Sequence, residues 1–337
     1  MLLAGDSEAL TPVVVDDTVL FCAGYFWNGW SELHALDAGT GQLRWRVTVG
    51  RCEAPPVVIG TTAIQLASQN HGAQYTAYGV DVASGATRWS KDLGQLTFTA
   101  PLGGFLYVAA FNRPLRRITA ATGNVETVEL DDASKERVWI APTSAGLLIG
   151  SGTSLWRVTD PAEKPTRAAT LQALIRDIEA ATADGNLLVV QNRDNEITAF
   201  AVDDGRFLWN RRFARVLGAP ARLADPVHGA PTAADGRVFV NTFGADRYEL
   251  VALDERTGNL AWSAHDGSFS PPTGSGAEVL VAGRAAVIVV DRMSGQITSR
   301  LPAPGEVTTS PQRYKELLIF GTIDGALHAV RRTRHSQ

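Results

Sequence analysis

The sequence predicts an all-β fold, a β-propeller of eight four-stranded blades closed by the N-terminal segment, and three observations predict it. First, a turn sequence recurs. ALDAGTGQLRW at 35–45 returns as ALDERTGNLAW at 252–262, and looser copies end at Trp89, Thr127, Trp209 and Ser299. Self-similarity at a period of about 40 residues marks a propeller or a solenoid. Second, a small residue and a proline open a strand upstream of each turn, at Pro12, Pro55, Pro101, Pro142, Pro231, Pro272 and Pro311. Ala181 fills the double-length gap after Pro142, giving eight starts 39 to 50 residues apart. Third, the segments between start and turn are short runs of β-branched and aromatic residues bounded by turn signals.

The unit at 229–267 justifies the elements in order. GAPTAADG opens a strand and turns at Asp235-Gly236, RVFVNTF is the second strand, and GADRYE is a polar loop. ELVALD is the third strand, ERTGN a tight turn with Gly258 where a positive φ is wanted, and LAWSAH the fourth strand. A lone four-stranded sheet leaves both faces uncovered, and radial stacking of copies buries them. The whole chain, 1–337, therefore reads as one propeller domain with blade starts near 12, 55, 101, 142, 181, 231, 272 and 311. The last unit offers three strands, and the segment around Leu2–Leu3 is the expected fourth, which would remove the ring's open edge.

Trp45, Trp89, Trp209 and Trp262 each follow their turn glycine by four residues, at Gly41, Gly85, Gly205 and Gly258. The constant offset aims every indole the same way, into the neighbouring blade, where it buries a large apolar area. Two units depart from the pattern: Gly123 is followed by Thr127, and DPAEKP replaces the turn of the fourth unit. Poorer packing is expected there.

The pattern A-x-D-x-x-T-G-x-x-x-W resembles the tryptophan-docking repeat of pyrroloquinoline-quinone-like propellers, and the resemblance covers nearly the whole chain. It implies the fold more than the activity, because the family spans quinoprotein dehydrogenases, a lipoprotein of the outer-membrane barrel-assembly machinery and propellers attached to kinases. The dehydrogenases carry an adjacent-cysteine disulfide over the quinone and a caged calcium ion. Here Cys22 and Cys52 stand 30 positions apart and no compact oxygen-ligand cluster presents itself, so no quinone, flavin or catalytic metal is expected.

Composition narrows the classes further. A net charge of −4 with scattered arginines gives no footprint for nucleic acid. The two cysteines form no disulfide framework or metal pattern and read as buried thiols. MLLAGDSEAL lacks the basic and apolar regions of a signal peptide, and no apolar run is long enough to span a bilayer. A cytoplasmic monomer without a membrane partner is the expectation. The six histidines offer no metal-ligand spacing.

A site is expected where the blade-connecting loops meet, just before each strand-opening residue. There Phe98, Trp139 and Phe269 form an aromatic wall, Arg51 lies beside them, and Glu53, Glu179 and His228 supply ionisable groups. An apolar concavity with a few polar groups is the default ligand site. The alternative is that the aromatics plug the channel and the carboxylates pair with Arg51, Arg137 or Arg176. Trp27 and Trp30 in GYFWNGWSE, with His71 in the neighbouring loop, extend the same rim. Two functions follow: a non-catalytic scaffold or ligand-sensing module binding a protein or small molecule on the loop face, or a cofactor-independent lyase, isomerase or hydrolase. In the second, His228, Glu53 and Glu179 do the acid–base work.

Overall fold

The computed structural model describes residues 7–9, 11–25, 30–68, 74–110, 113–131, 137–174, 176–192, 194, 196–213, 222–223, 230–244, 247–265 and 270–331. These residues form antiparallel sheets, as the alternating patterns predict, and the fold is of the β-propeller type. The chain divides into two compact units, Met1–Leu93 with Asp266–Gln337, and Gly94–His265.

The first unit opens with a nine-stranded sheet built from two successive runs. Ser7–Ala9 and Val13–Val15 both pair with Thr18–Tyr25, which is followed by Trp30–Asp37 and the ten-residue strand Leu43–Cys52. That last strand does two jobs. Its start pairs back with Trp30–Asp37, while Arg51 and Cys52 pair forward with Ser68 and Ala67 of the next run. The next run then continues through Val57–Ile59, Thr62–Ser68, Tyr75–Asp81 and Thr87–Gly94. Pro12 and the Pro55-Pro56 pair fall where the inner strands break, because proline has no N–H to offer the ladder. The sheets Thr273–Ser275 to Ile297–Pro302 and Gln312–Tyr314 to Leu327–Arg331 complete this unit.

Leu2–Leu3 lies outside the described residues, Ser7–Ala9 joins the first sheet, and the last sheet has three strands among the described residues. The first and last sheets instead meet face to face. Val19, Phe21 and Leu36 pack with Ile319, Tyr314 and Leu327, and Ser310 N–H donates to Thr11 Oγ1 at 3.1 Å.

The second unit holds four sheets, beginning at Leu96–Leu102, Val138–Thr143, Ile178–Asp184 and the pair Arg222–Leu223 and Thr232–Ala234. Pro101 and Pro142 sit inside continuous inner strands, opposite Leu106 and Leu147 on the single neighbouring strand. The apolar second strands, such as Leu187–Asn192 and Arg237–Gly244, form the buried layers between sheets.

Trp45 and Trp209 dock as their offset predicts. Trp45 donates its indole N–H to Val82 O at 2.9 Å and lies so close to Gly85 that a Cβ there would stand 2.7 Å from the ring. Trp209 repeats the arrangement, donating to Glu255 O at 2.7 Å and covering Gly258, whose φ is 64°. The turn glycine thus meets two demands, left-handed backbone and close approach. The turn aspartate organises the rest: Asp254 Oδ1 accepts from the N–H and hydroxyl of Thr257 at 3.0 and 2.8 Å, and Asp37 does the same with Thr40 at 2.8 and 2.9 Å. Arg44 beside Asp37, with those Thr40 bonds, holds the aspartate well below the usual carboxylate range.

The unit in which Thr127 stands at the tryptophan's position has a replacement contact. Arg117 donates to Pro161 O of the DPAEKP turn, pairs with Glu126 at 2.8 Å, and lies 4.6 Å over the Phe105 ring. The outer strand Val125–Thr127 is nevertheless exposed along its length, as the missing indole predicts.

The expectation of free thiols is wrong. Cys22 and Cys52 are joined in a disulfide, with Cα atoms 6.4 Å apart. The strand hand-over brings them together: Cys22 is in the second strand of the first run, and Cys52 is where Leu43–Cys52 crosses to the next.

Candidate functional site

Each sheet has one end where the inner strand starts and the second and third strands connect. The candidate residues that are described sit at this loop end. Arg51 and Glu53 flank the disulfide, Phe98 lies in Leu96–Leu102, Trp139 in Val138–Thr143, and Glu179 in Ile178–Asp184. Trp30 opens Trp30–Asp37. Its side chain, and the residues Trp27, His71, His228 and Phe269, lie outside what is described.

In the first unit the loop end carries a polar cluster. Ser68 donates its hydroxyl to Glu53 Oε1 at 2.5 Å, and Arg51 Nε stands 3.5 Å from the same oxygen. Burial raises the Tyr75 hydroxyl's pKa, the Glu53 charge adds to the rise, and Arg51 opposes it. Gln65, wholly buried beneath, donates to Ala54 O at 2.8 Å and fixes the chain between Cys52 and Pro55. The disulfide pins the middle of Arg51-Cys52-Glu53, so both charged side chains project from a clamped backbone.

In the second unit Trp139 is buried at 2% exposure, its ring so close to Gly150 that a Cβ there would meet it at 2.0 Å. It belongs to the core between successive sheets, with Leu148, Leu188 and Phe200. Phe98 is half-buried against that core and against the preceding one, and Arg137 lies 5.6 Å over its ring. Glu179 is half-buried at a register shift between Ile178 and Ala180. Trp139 is thus a packing residue, and Phe98 and Arg137 are what remains at the surface.

Sequence reasoning missed the disulfide and the Ser68–Tyr75 contribution. Cys22 lies in a second strand and Cys52 three residues before the next strand-opening Pro55, and only the hand-over of Leu43–Cys52 to the next run brings the two together. The set does not fit a quinone over caged calcium: the disulfide joins cysteines 30 apart, and no three His, Cys, Asp or Glu among the described residues converge as metal ligands.

A family model described as outer membrane protein assembly factor BamB matches residues 29–214 and 145–316. The chain belongs to this family of pyrroloquinoline-quinone-like repeat propellers. Its relatives include BamB of Shewanella oneidensis, 24% identical over 59% of this chain and 49% of that protein. BamB of Escherichia coli is 25% identical over 46% of this chain and 39% of that protein. BamB of Moranella endobia is 26% identical over 74% and 68%. The matched part is thus half or less of the first two relatives. The computationally designed Ika8 protein shares the fold, with a TM-score of 0.71, 16% identity and coverage of 98% of both chains.

This kinship overturns the cytoplasmic expectation, because the BamB-family relatives are named as outer-membrane assembly factors. The disulfide agrees, as such bonds persist in oxidising compartments. The expectation of a chain without membrane involvement loses its support for the same reason. Among the described residues no helix is long and apolar enough to cross a membrane.

Proposed function

We propose that this BamB-family propeller is a non-catalytic scaffold that docks a protein partner in outer-membrane protein assembly, outside the cytoplasm. The family match across 29–316 carries the reading, with relatives that bear that role in their names. The loop end is the docking surface. In the first unit it is represented by Arg51 and Glu53, and in the second by Phe98 and Glu179, each taken on its own sheet. Side chains on a rigid sheet scaffold keep their geometry before the partner arrives, which reduces the entropy lost on binding. Glu53 serves as a rim contact, because its carboxylate is already engaged by Ser68 and Arg51. No described observation favours the acid–base reading.

A photo-crosslinking residue at Arg51 or Glu179 should form adducts with outer-membrane assembly proteins in the native envelope. The same residue at Arg256, in a turn at the other end of its sheet, should not. Adducts only with cytoplasmic proteins, or equal adducts at Arg256, would sink the reading.

A further inference from the structure

Among the described residues each third strand but one is paired on both edges. Trp30–Asp37 lies between Thr18–Tyr25 and Leu43–Cys52, and Ala286–Asp291 between Glu278–Ala282 and Ile297–Pro302. Leu327–Arg331 is the exception. Leu317–Gly321 pairs with one edge, and no described strand pairs with the other. Exposure records the difference: four of the six residues of Ala286–Asp291 are buried, whereas none of the five of Leu327–Arg331 is. The strand is nevertheless held from both faces. Leu327 packs on the cluster of Val19, Phe21 and Leu36, and Val330 on that of Leu280 and Val289. The edge is therefore preformed.

The turn before this strand fixes which backbone groups look outward. Thr322 N–H donates to Ala326 O at 2.9 Å, so ladder alternation makes Phe320–His328 and Leu318–Val330 the hydrogen-bonded pairs. The N–H and C=O groups of Leu327, Ala329 and Arg331 then point to the open edge. Side chains mark its two ends. Ile323, in the same turn, is 62% exposed, the most exposed large hydrophobic residue among those described. Its neighbour Asp324 is turned back onto the Thr322 hydroxyl and the Ala326 N–H, at 2.6 and 3.2 Å. At the other end Arg331 is exposed, and Arg332 and Arg334 follow it in the sequence. One end of the edge is apolar and the other is basic.

We propose that the open edge of Leu327–Arg331 takes up an extended segment of a partner protein as an antiparallel fourth strand. The segment carries a carboxylate at its N-terminal end, beside Arg331, and an apolar side chain at its C-terminal end, beside Ile323. The antiparallel direction follows the other sheets, where fourth strands such as Phe207–Arg212 and Ile297–Pro302 run against the third. An unpaired edge is a template for another strand: backbone hydrogen bonds supply the affinity and side-chain positions the specificity. Guanidinium groups at the basic end select a carboxylate. A second copy of this chain fits less well, because pairing centred on Ala329 would set each Arg331 beside the apolar Leu327 of the other. The assignment rests on the scaffold function proposed above and names the form and chemistry of one segment of its partner.

The probe is a fluorescent peptide with glutamate at its N-terminal end, alternating valine and threonine, and leucine at its C-terminal end. Wild-type protein should bind it, and should bind far less of the reversed sequence or of a version with alternate amides N-methylated. Ala329→Pro removes one outward N–H and keeps the bonds to Leu317–Gly321, and it should weaken binding about tenfold. Arg331→Glu should weaken it about as much and leave the melting temperature unchanged, because the side chain is exposed. Arg256→Glu makes the same charge change on another sheet and should bind as wild type. Amide exchange at Leu327, Ala329 and Arg331 should be fast in the free protein and slowed by the peptide. Equal binding of the N-methylated peptide, or unchanged binding in both Ala329→Pro and Arg331→Glu, overturns the proposal. So does slow exchange of the three amides in the free protein, which would mean that the chain's own residues cover the edge. If wild type ignores the peptide while envelope crosslinks from Arg51 persist, the edge assignment is wrong and the scaffold reading stands. Intact peptide binding with no envelope crosslinks at all sinks the scaffold reading instead.

Discussion

At the residue scale, the histidines of the first unit show how position within a repeat dictates chemistry. His34 and His328 occupy third strands, and each lies against the phenylalanine of its neighbouring second strand, Phe21 at 5.1 Å and Phe320 at 5.6 Å between ring centres. The His34 side chain is 2% exposed, with Nε2 3.5 Å from Glu32 and Nδ1 buried without a hydrogen bond. Burial lowers the pKa of both, and the nearby Glu32 and Asp324 only partly offset it. The unfolded chain then takes up these protons near pH 6.5, and the folded chain takes them up only at lower pH. Wherever the unfolded state binds more protons, stability rises with pH. Their contribution is therefore complete above about pH 6.5 and is lost as pH falls below it. Urea unfolding at pH 7.5 and 5.5 should show wild type losing stability, and a His34→Asn, His328→Asn variant losing distinctly less over the same interval. Parallel losses would mean that other groups set the slope.

At the element scale, the strand Leu43–Cys52 explains both a success and a failure of sequence reading. The turn before it was legible because Asp37, Thr40, Gly41 and Trp45 have local jobs that repeat elsewhere in the chain. The hand-over at Arg51 and Cys52 was not, because pairing to Ser68 and Ala67 depends on contacts that no local pattern announces. The disulfide was missed for the same reason, since a separation of 30 residues says nothing until the second strand of the first run and the hand-over strand are placed side by side. Likewise the aromatic wall was half legible: Phe98 and Trp139 occupy the predicted strand starts, but the Gly150 gap that swallows Trp139 is visible only in three dimensions. Closing a loop of 30 residues restricts the unfolded chain by roughly 3–4 kcal/mol. A Cys22→Ala, Cys52→Ala variant should lose about that much unfolding free energy. A phosphine reductant should shift the urea midpoint of wild type and leave the variant's unmoved. An identical midpoint with and without reductant would show that the bond does not form in solution.

At the scale of the whole molecule, the inner strands among the described residues bear on the number of blades. The nine-stranded sheet contains two of them, at Ser7–Ala9 with Val13–Val15 and at Arg51–Cys52 with Val57–Ile59, joined only because Leu43–Cys52 serves both runs. Among the described residues the six other sheets contribute one inner strand each, starting at Leu96, Val138, Ile178, Arg222, Thr273 and Gln312. We propose that these are eight blades, matching the seven marker prolines and Ala181 in the sequence. A repeat architecture with an open end leaves one apolar sheet face in water, which a ring avoids. The packing of Val19, Phe21 and Leu36 on Ile319 already covers such a face between the first and last sheets. Replacing Ile319 by Glu puts a charge into that seam, and it should destabilise a ring as a whole, with one cooperative unfolding transition shifted to lower temperature. In an open array the damage would stay at one end, and the unfolding trace would split. An electron-density map at side-chain resolution gives the count directly, and any number of blades other than eight, or termini at opposite ends of a solenoid, overturns the assignment.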